Sequence, residues 1–166
     1  MPVMSYCAEE VLQRAVEIEK RARDFYKRAH DEADDGQSKA CFAALSREEA
    51  DHASTFAQMR EALSREEREV QPYDPGNEML HYLSGMEEAH AWEGQLGASS
   101  EQGAAHTLAE RLQAAIRAEK ETVLFYVFLK DFVPPDKGRE AVEQVIREES
   151  RHAAVLKKRL DGLDAT

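Results

Sequence analysis

Four glutamates and two histidines of this chain are of the types that bind metal ions, and they occur as two sets in one register. The first set lies in AVEIEKRARDFY from Ala15 and REEADH from Arg47. The second lies in AIRAEKETVLFY from Ala115 and REESRH from Arg147. Glu19, Phe25, Tyr26, Glu49 and His52 thus recur one hundred residues later as Glu119, Phe125, Tyr126, Glu149 and His152, with no insertion between them. The repeated positions are mostly ligand types, while most apolar positions between them have drifted. An internal duplication marks a repeated structural unit, and one that keeps four carboxylates and two imidazoles in register points to a shared metal site. Glu49 and His52 are three residues apart and project from neighbouring positions of one helix face, as do Glu149 and His152. A Glu from each of two helices plus a Glu-x-x-His from each of two others makes six ligands, which suits two ions bridged by carboxylates. The oxygen-rich, imidazole-capped set favours iron or manganese; zinc can occupy it but prefers fewer ligands and often sulfur.

Such a site needs helices to present it, and the composition supplies them. The chain has 166 residues, few Gly (8) and Pro (5), and much Ala, Glu, Leu, Arg and Lys, which predicts one all-α domain over 1–166 with its core at about 8–161. The pattern predicts a helix over 8–33 ending at Asp34-Asp35-Gly36, with Gly36 left-handed, and a second over 38–69 with Ser38 as N-cap. The segment QPYDPGN at 71–77 breaks that helix. A crossover at about 70–106 carries a short helix over 78–93 and a loose Gly/Ser stretch. Helices over 107–132 and 136–160 follow, separated at Pro134-Pro135. Two helical hairpins joined by one long crossover form a four-helix bundle. If Glu19 faces the Glu49/His52 pair across an antiparallel hairpin, the turn must lie midway between them. That position is Asp34-Asp35-Gly36, and its counterpart in the second half is Pro134-Pro135.

Glu-x-x-His alone is a weak signal, since it occurs four times: Glu49/His52, Glu78/His81, Glu87/His90 and Glu149/His152. Only the first and last have a repeat mate, a facing Glu and a turn in the right place, so the middle two read as charges of a solvated crossover helix. Glu48 and Glu148 also repeat, four residues before each His. They read as surface carboxylates partnered by Arg47 or Arg147, with replacement of the neighbouring ligand as the alternative. Tyr26 and Tyr126 lie on the stripe of the facing Glu. They are either core aromatics or donors that hydrogen-bond a ligating carboxylate. Phe25, Phe125 and the apolar run 123–129 read as core or dimer surface. Four acids and two histidines facing inward with no cation would carry a severe burial cost.

The net charge of −11 argues against a nucleic-acid partner. No apolar run is long enough to span a membrane, and the N-terminus predicts no secretory leader. Cys7 and Cys41 are the two cysteines, so neither a disulfide scaffold nor a Cys-x-x-Cys iron or zinc site is expected, and the cytoplasm is the default compartment.

Across about residues 10–160 the chain resembles the rubrerythrin-type branch of the ferritin-like superfamily. The resemblance is carried by Ile18-Glu19-Lys20, Phe25-Tyr26 and Arg47-Glu48-Glu49-x-x-His52, with Ala118-Glu119-Lys120, Phe125-Tyr126 and Arg147-Glu148-Glu149-x-x-His152. It implies a diiron centre in which Glu49 and Glu149 bridge, Glu19 and Glu119 bind terminally, and His52 and His152 each cap one iron. It also implies redox chemistry with hydrogen peroxide or dioxygen, and usually a homodimer. Full-length rubrerythrin carries a Cys-rich rubredoxin domain and an extra Glu three residues after the third-helix Glu. This chain has no such Cys motif and has Thr122 at that position, so electrons are expected from a separate donor such as a rubredoxin. The competing expectations are a ferroxidase or other iron-handling protein, a hydroxylase of an organic substrate, and a non-catalytic metal-binding bundle.

Overall fold

The computed structural model describes residues 7–69, 75–78, 81, 82, 85 and 107–164. Within them the chain forms helices α1 (Ala8–Glu32), α2 (Gly36–Ala62), a single-turn α3 (Arg65–Arg68), α4 (Leu108–Phe132) and α5 (Arg139–Asp164). A 3-10 turn at Pro135–Lys137 precedes α5, and no strand occurs among the described residues. The spacing of apolar residues explains the packing. On α1, Val11, Leu12, Ala15, Val16, Ala22, Phe25, Tyr26 and Ala29 form one buried stripe. Glu19 sits in the middle of that stripe, an acid on a core face. On α4 the corresponding stripe of Leu112, Ala115, Ala118, Phe125, Tyr126 and Leu129 contains Glu119 and Thr122.

α1 packs along α2 and α4 along α5; the two hairpins meet chiefly through α1 and α4. The architecture is therefore the all-helical four-helix bundle that the pattern predicts. Most of the crossover, including most of the helix predicted over 78–93 and the Glu87/His90 pair, lies outside the described residues. Of it, Glu78, His81, Tyr82 and Gly85 are helical. No described helix is long and apolar enough to cross a membrane.

The structure corrects three local expectations. Gly36 does not end α1 in a left-handed conformation. The helix stops at an extended Ala33, and Gly36 is the first residue of α2. The N-cap of α2 is Asp35, whose Oδ1 accepts from the Ser38 backbone N–H at 2.8 Å. Ser38 is itself buried and receives Arg159 Nη2 of α5 on its Oγ at 2.9 Å, so its hydroxyl serves tertiary contact rather than capping. Finally, α2 ends at Ala62 rather than near 69. Leu63 turns extended, and Ser64 starts α3 through a capping box in which the Glu67 carboxylate accepts from Ser64 N–H at 2.7 Å and Ser64 Oγ accepts from Glu67 N–H at 3.3 Å. Ser-x-x-Glu is a helix-start signal that outcompetes continuation of α2.

Two apolar clusters fill the bundle on either side of its middle. One gathers Val11, Leu12, Phe56, Met59, Phe125, Leu129, Phe132 and Val142; the other gathers Ala22, Phe25, Phe42, Leu45, Leu112, Ala115 and Leu156. The second hairpin turn is held at Gly138, whose φ of 113° is in the left-handed region, and a Cβ there would lie 3.1 Å from Met59 Cγ. A Gly138→Ala variant is accordingly expected to lose about 1–3 kcal/mol of stability, read as a lower urea midpoint at unchanged slope.

Candidate metal centre

Between the two apolar clusters lies a layer of six buried acidic and histidine side chains. Glu19 of α1, Glu49 and His52 of α2, Glu119 of α4, and Glu149 and His152 of α5 are all almost fully buried. The structure thus brings together all six residues selected by repeat and spacing. Their ligand atoms form two overlapping sets, Glu19/Glu49/His52/Glu149 and Glu49/Glu119/Glu149/His152, with the atoms of each set within 4.8 Å of one another. Glu49 and Glu149 belong to both.

The imidazoles are oriented for such a role. His52 Nδ1 faces inward, 2.7 Å from Glu149 Oε1 and 3.3 Å from Glu49 Oε2. His152 Nδ1 mirrors it, 3.0 Å from Glu49 Oε1 and 3.1 Å from Glu149 Oε2. The rings lie nearly parallel with centroids 5.6 Å apart. Each Nε2 points outward to a carboxylate of the opposite hairpin: His52 to Glu148 at 2.7 Å and His152 to Glu48 at 2.7 Å. An ionised carboxylate only accepts, so each Nε2 carries the proton. That leaves Nδ1 as the nitrogen able to offer a lone pair to a cation.

The cluster is poorly satisfied by protein alone. Among the described residues, Glu19 Oε2, Glu49 Oε1, Glu119 Oε2 and Glu149 Oε1 are buried without a hydrogen-bond partner. Glu49 Oε1 and Glu149 Oε1 lie close to a ring nitrogen but not in bonding orientation. One orphaned oxygen on each of four acids, converging beside two inward nitrogens, is what a cation pair would satisfy and what a buried structural network rarely tolerates. The donor set fits two hard or borderline divalent ions.

The groups of the cluster shift one another's affinity for protons. Burial, then the charges of Glu149 and Glu49, push Glu19 and Glu119 well above the usual carboxylate range. For His52, burial disfavours the imidazolium, but Glu149 and Glu49 together outweigh it and raise the pKa to about 11. The same balance raises His152 to about 10. Burial alone would raise Glu149, yet its hydrogen bond with His152 and the close approach of the His52 ring bring it down to about 2.

The surrounding shell crosses between hairpins. The Tyr26 hydroxyl donates to Glu119 Oε1 and the Tyr126 hydroxyl to Glu19 Oε1. Burial and the adjacent glutamate charge push both phenols well above their ordinary value, so they remain donors. Each tyrosine holds one oxygen of a glutamate and leaves the other aimed at the centre. In a Tyr126→Phe variant, divalent-metal affinity is expected to fall about tenfold, read by calorimetry, with the fold retained.

The expectation that Arg47 or Arg147 partners Glu48 and Glu148 is corrected by the structure. Glu48 is bonded by Arg151 and His152, and Glu148 by Gln144 and His52. Their recurrence one residue before each inward Glu is the signal that could have revealed them. On a helix, that neighbour is turned away from the centre yet stays within reach of the docked hairpin. Thr122 is buried on the Glu119 face of α4. Neither Glu78 nor His81 enters either ligand set.

Comparison with known proteins bears on the family and the fold. Residues 10–101 match the family model described as Rubrerythrin, more than half of the chain and inclusive of Glu19, Glu49 and His52. No curated protein matches the chain. Among solved structures, the fold is similar to that of a ferritin-like diiron-carboxylate protein from Thermotoga maritima. That likeness has a TM-score of 0.71 and 21% identity, over 95% of this chain and 96% of that one.

Proposed function

The chain belongs to the rubrerythrin family, and from that premise we propose that it is a non-haem diiron oxidoreductase that consumes hydrogen peroxide or dioxygen. The observation that carries the reading is the pair of overlapping ligand sets sharing Glu49 and Glu149, with one unpartnered oxygen on each of the four glutamates. Glu49 and Glu149 would bridge two irons, Glu19 and Glu119 would bind one each terminally, and His52 and His152 would cap them through Nδ1. Bound there, an iron pair would supply two electrons together to one O–O bond, for peroxide with uptake of two protons and release of two waters. The protein's own part is to hold the ligands and keep the site dry. Tyr26 and Tyr126 fix Glu119 and Glu19, Glu148 and Glu48 fix the imidazole orientation, and the flanking apolar clusters exclude bulk water. In this reading a rubredoxin-type protein serves as reductant, with a homodimer in the cytoplasm as the working form.

The test is anaerobic loading with ferrous iron followed by rapid mixing with peroxide. The expected result is oxidation of two irons per peroxide at a rate well above that of free ferrous ion. A rate no faster than the free ion rules the peroxidase reading out, and iron uptake far beyond two per chain would favour an iron-handling role instead.

A further inference from the structure

Glu48 and Glu148 are mates in the repeat, yet their surroundings differ by a full charge. Glu48 Oε2 accepts from His152 Nε2 at 2.7 Å and is also bonded by Arg151 Nη2. Glu148 Oε2 accepts from His52 Nε2 at 2.7 Å, and its Oε1 accepts from the neutral Gln144 amide at 3.0 Å. Among the described residues, no Lys or Arg pairs with Glu148. The cause is visible in the chain: the repeat mate of Arg151 is Asp51, an exposed acid, and that of Gln144 is Ala44. The duplication that keeps the ligands symmetric has inverted the charge at the position beside them.

A carboxylate on Nε2–H pushes electron density toward Nδ1 and strengthens its lone pair. An arginine on that carboxylate draws the density back and also opposes a cation through space. The set around His52 therefore has one more negative charge in its outer surroundings than the set around His152. We propose that the two metal positions are unequal, that the one capped by His52 binds a divalent cation more tightly and fills first, and that Arg151 sets the difference. The inference rests on the two-ion reading above. Arg151 is half exposed, with its side chain at 53%, so solvent and salt moderate its field. The expected gap is about threefold to tenfold rather than orders of magnitude.

Manganese titration of the metal-free full chain tests this, with calorimetry for the two affinities and electron paramagnetic resonance to separate single from exchange-coupled ions. In wild type, the first equivalent should give a mononuclear signal and the second a coupled one. Arg151→Gln should tighten the second step about threefold to tenfold and leave the first within about twofold. Gln144→Arg, which places a cation beside Glu148, should weaken the first step by a similar factor. Both substituted side chains lie at the helix surface, so the fold should survive. An Arg151→Gln variant that shifts both steps alike, shifts neither, or weakens the second overturns the inference while leaving the two-ion centre standing. Absence of any coupled signal in wild type overturns the two-ion centre, and the inequality with it.

Discussion

Replacing Glu49 with alanine is expected to abolish the two-ion centre, whereas His52→Ala should leave one ion bound. The difference follows from sharing: Glu49 belongs to both ligand sets, while His52 belongs to one. A binding free energy on the order of 10 kcal/mol spread over four ligands gives roughly 2–3 kcal/mol each, so loss of a shared ligand weakens both positions about a hundredfold. The loss of metal need not come with loss of fold. In the metal-free state the charge of Glu49 opposes ionisation of Glu19 and Glu119, a repulsion that works against folding, while the same charge supports protonated His52 and His152. Relief of that repulsion offsets the cavity left by the smaller side chain. The metal-free variant should therefore melt close to wild type, while the metal-loaded wild type should melt far above both. Metal content after dialysis, paired with thermal denaturation, reads both quantities. A Glu49→Ala protein that still retains two ions per chain would show that Glu49 is not shared.

Metal affinity should rise steeply with pH, and the metal-free protein should weaken as pH rises. The raised folded pKa values of His52 (about 11) and His152 (about 10) mean that the folded, metal-free state holds protons the unfolded chain releases near the ordinary histidine value. Their contribution to stability is fully present below about pH 6.5 and is lost as pH climbs through about 10 and 11. Glu19 and Glu119, also raised, act in the same direction from the ordinary carboxylate range upward. Glu149 acts oppositely, since its pKa of about 2 gives stability that is present above the ordinary carboxylate value and lost as pH falls toward 2. A cation entering the cluster must displace the proton on each Nδ1. Each ion should therefore gain about tenfold in apparent affinity per pH unit for every proton released. Calorimetry in two buffers of different ionisation enthalpy counts those protons directly, and an affinity that stays flat between pH 6 and 8 (on the order of one proton per ion being expected to show there) would mean that the imidazoles do not hand over protons to the metal.

Much of this site is legible in the amino-acid sequence. The repeat separates Glu49/His52 and Glu149/His152 from two decoy pairs of the same spacing, and the midpoint rule puts the hairpin turns where the chain does turn, after Ala33 and after Val133. Both succeed because helix periodicity and antiparallel pairing are regular along the chain. Local competition was less legible. Ser64 and Glu67 stop α2 early, and Asp35 takes the cap from Ser38, because short side chains choose between equivalent backbone partners according to what packs against them.

The amino-acid sequence by itself determines that the protein is an all-helical bundle with an acid at the centre of two buried stripes and a Glu-x-x-His facing each. Only the tertiary structure decides who supports whom. Tyr26 holds Glu119 rather than Glu19, Glu148 holds His52 rather than its own neighbour, and Arg151 reaches Glu48 while, among the described residues, no Lys or Arg pairs with Glu148. Each of these contacts crosses from one hairpin to the other. Spacing along a helix reports which face a side chain occupies, but what that face meets is set by how the hairpins dock, and so the symmetry of the ligands can be read from the chain while the asymmetry of their support cannot.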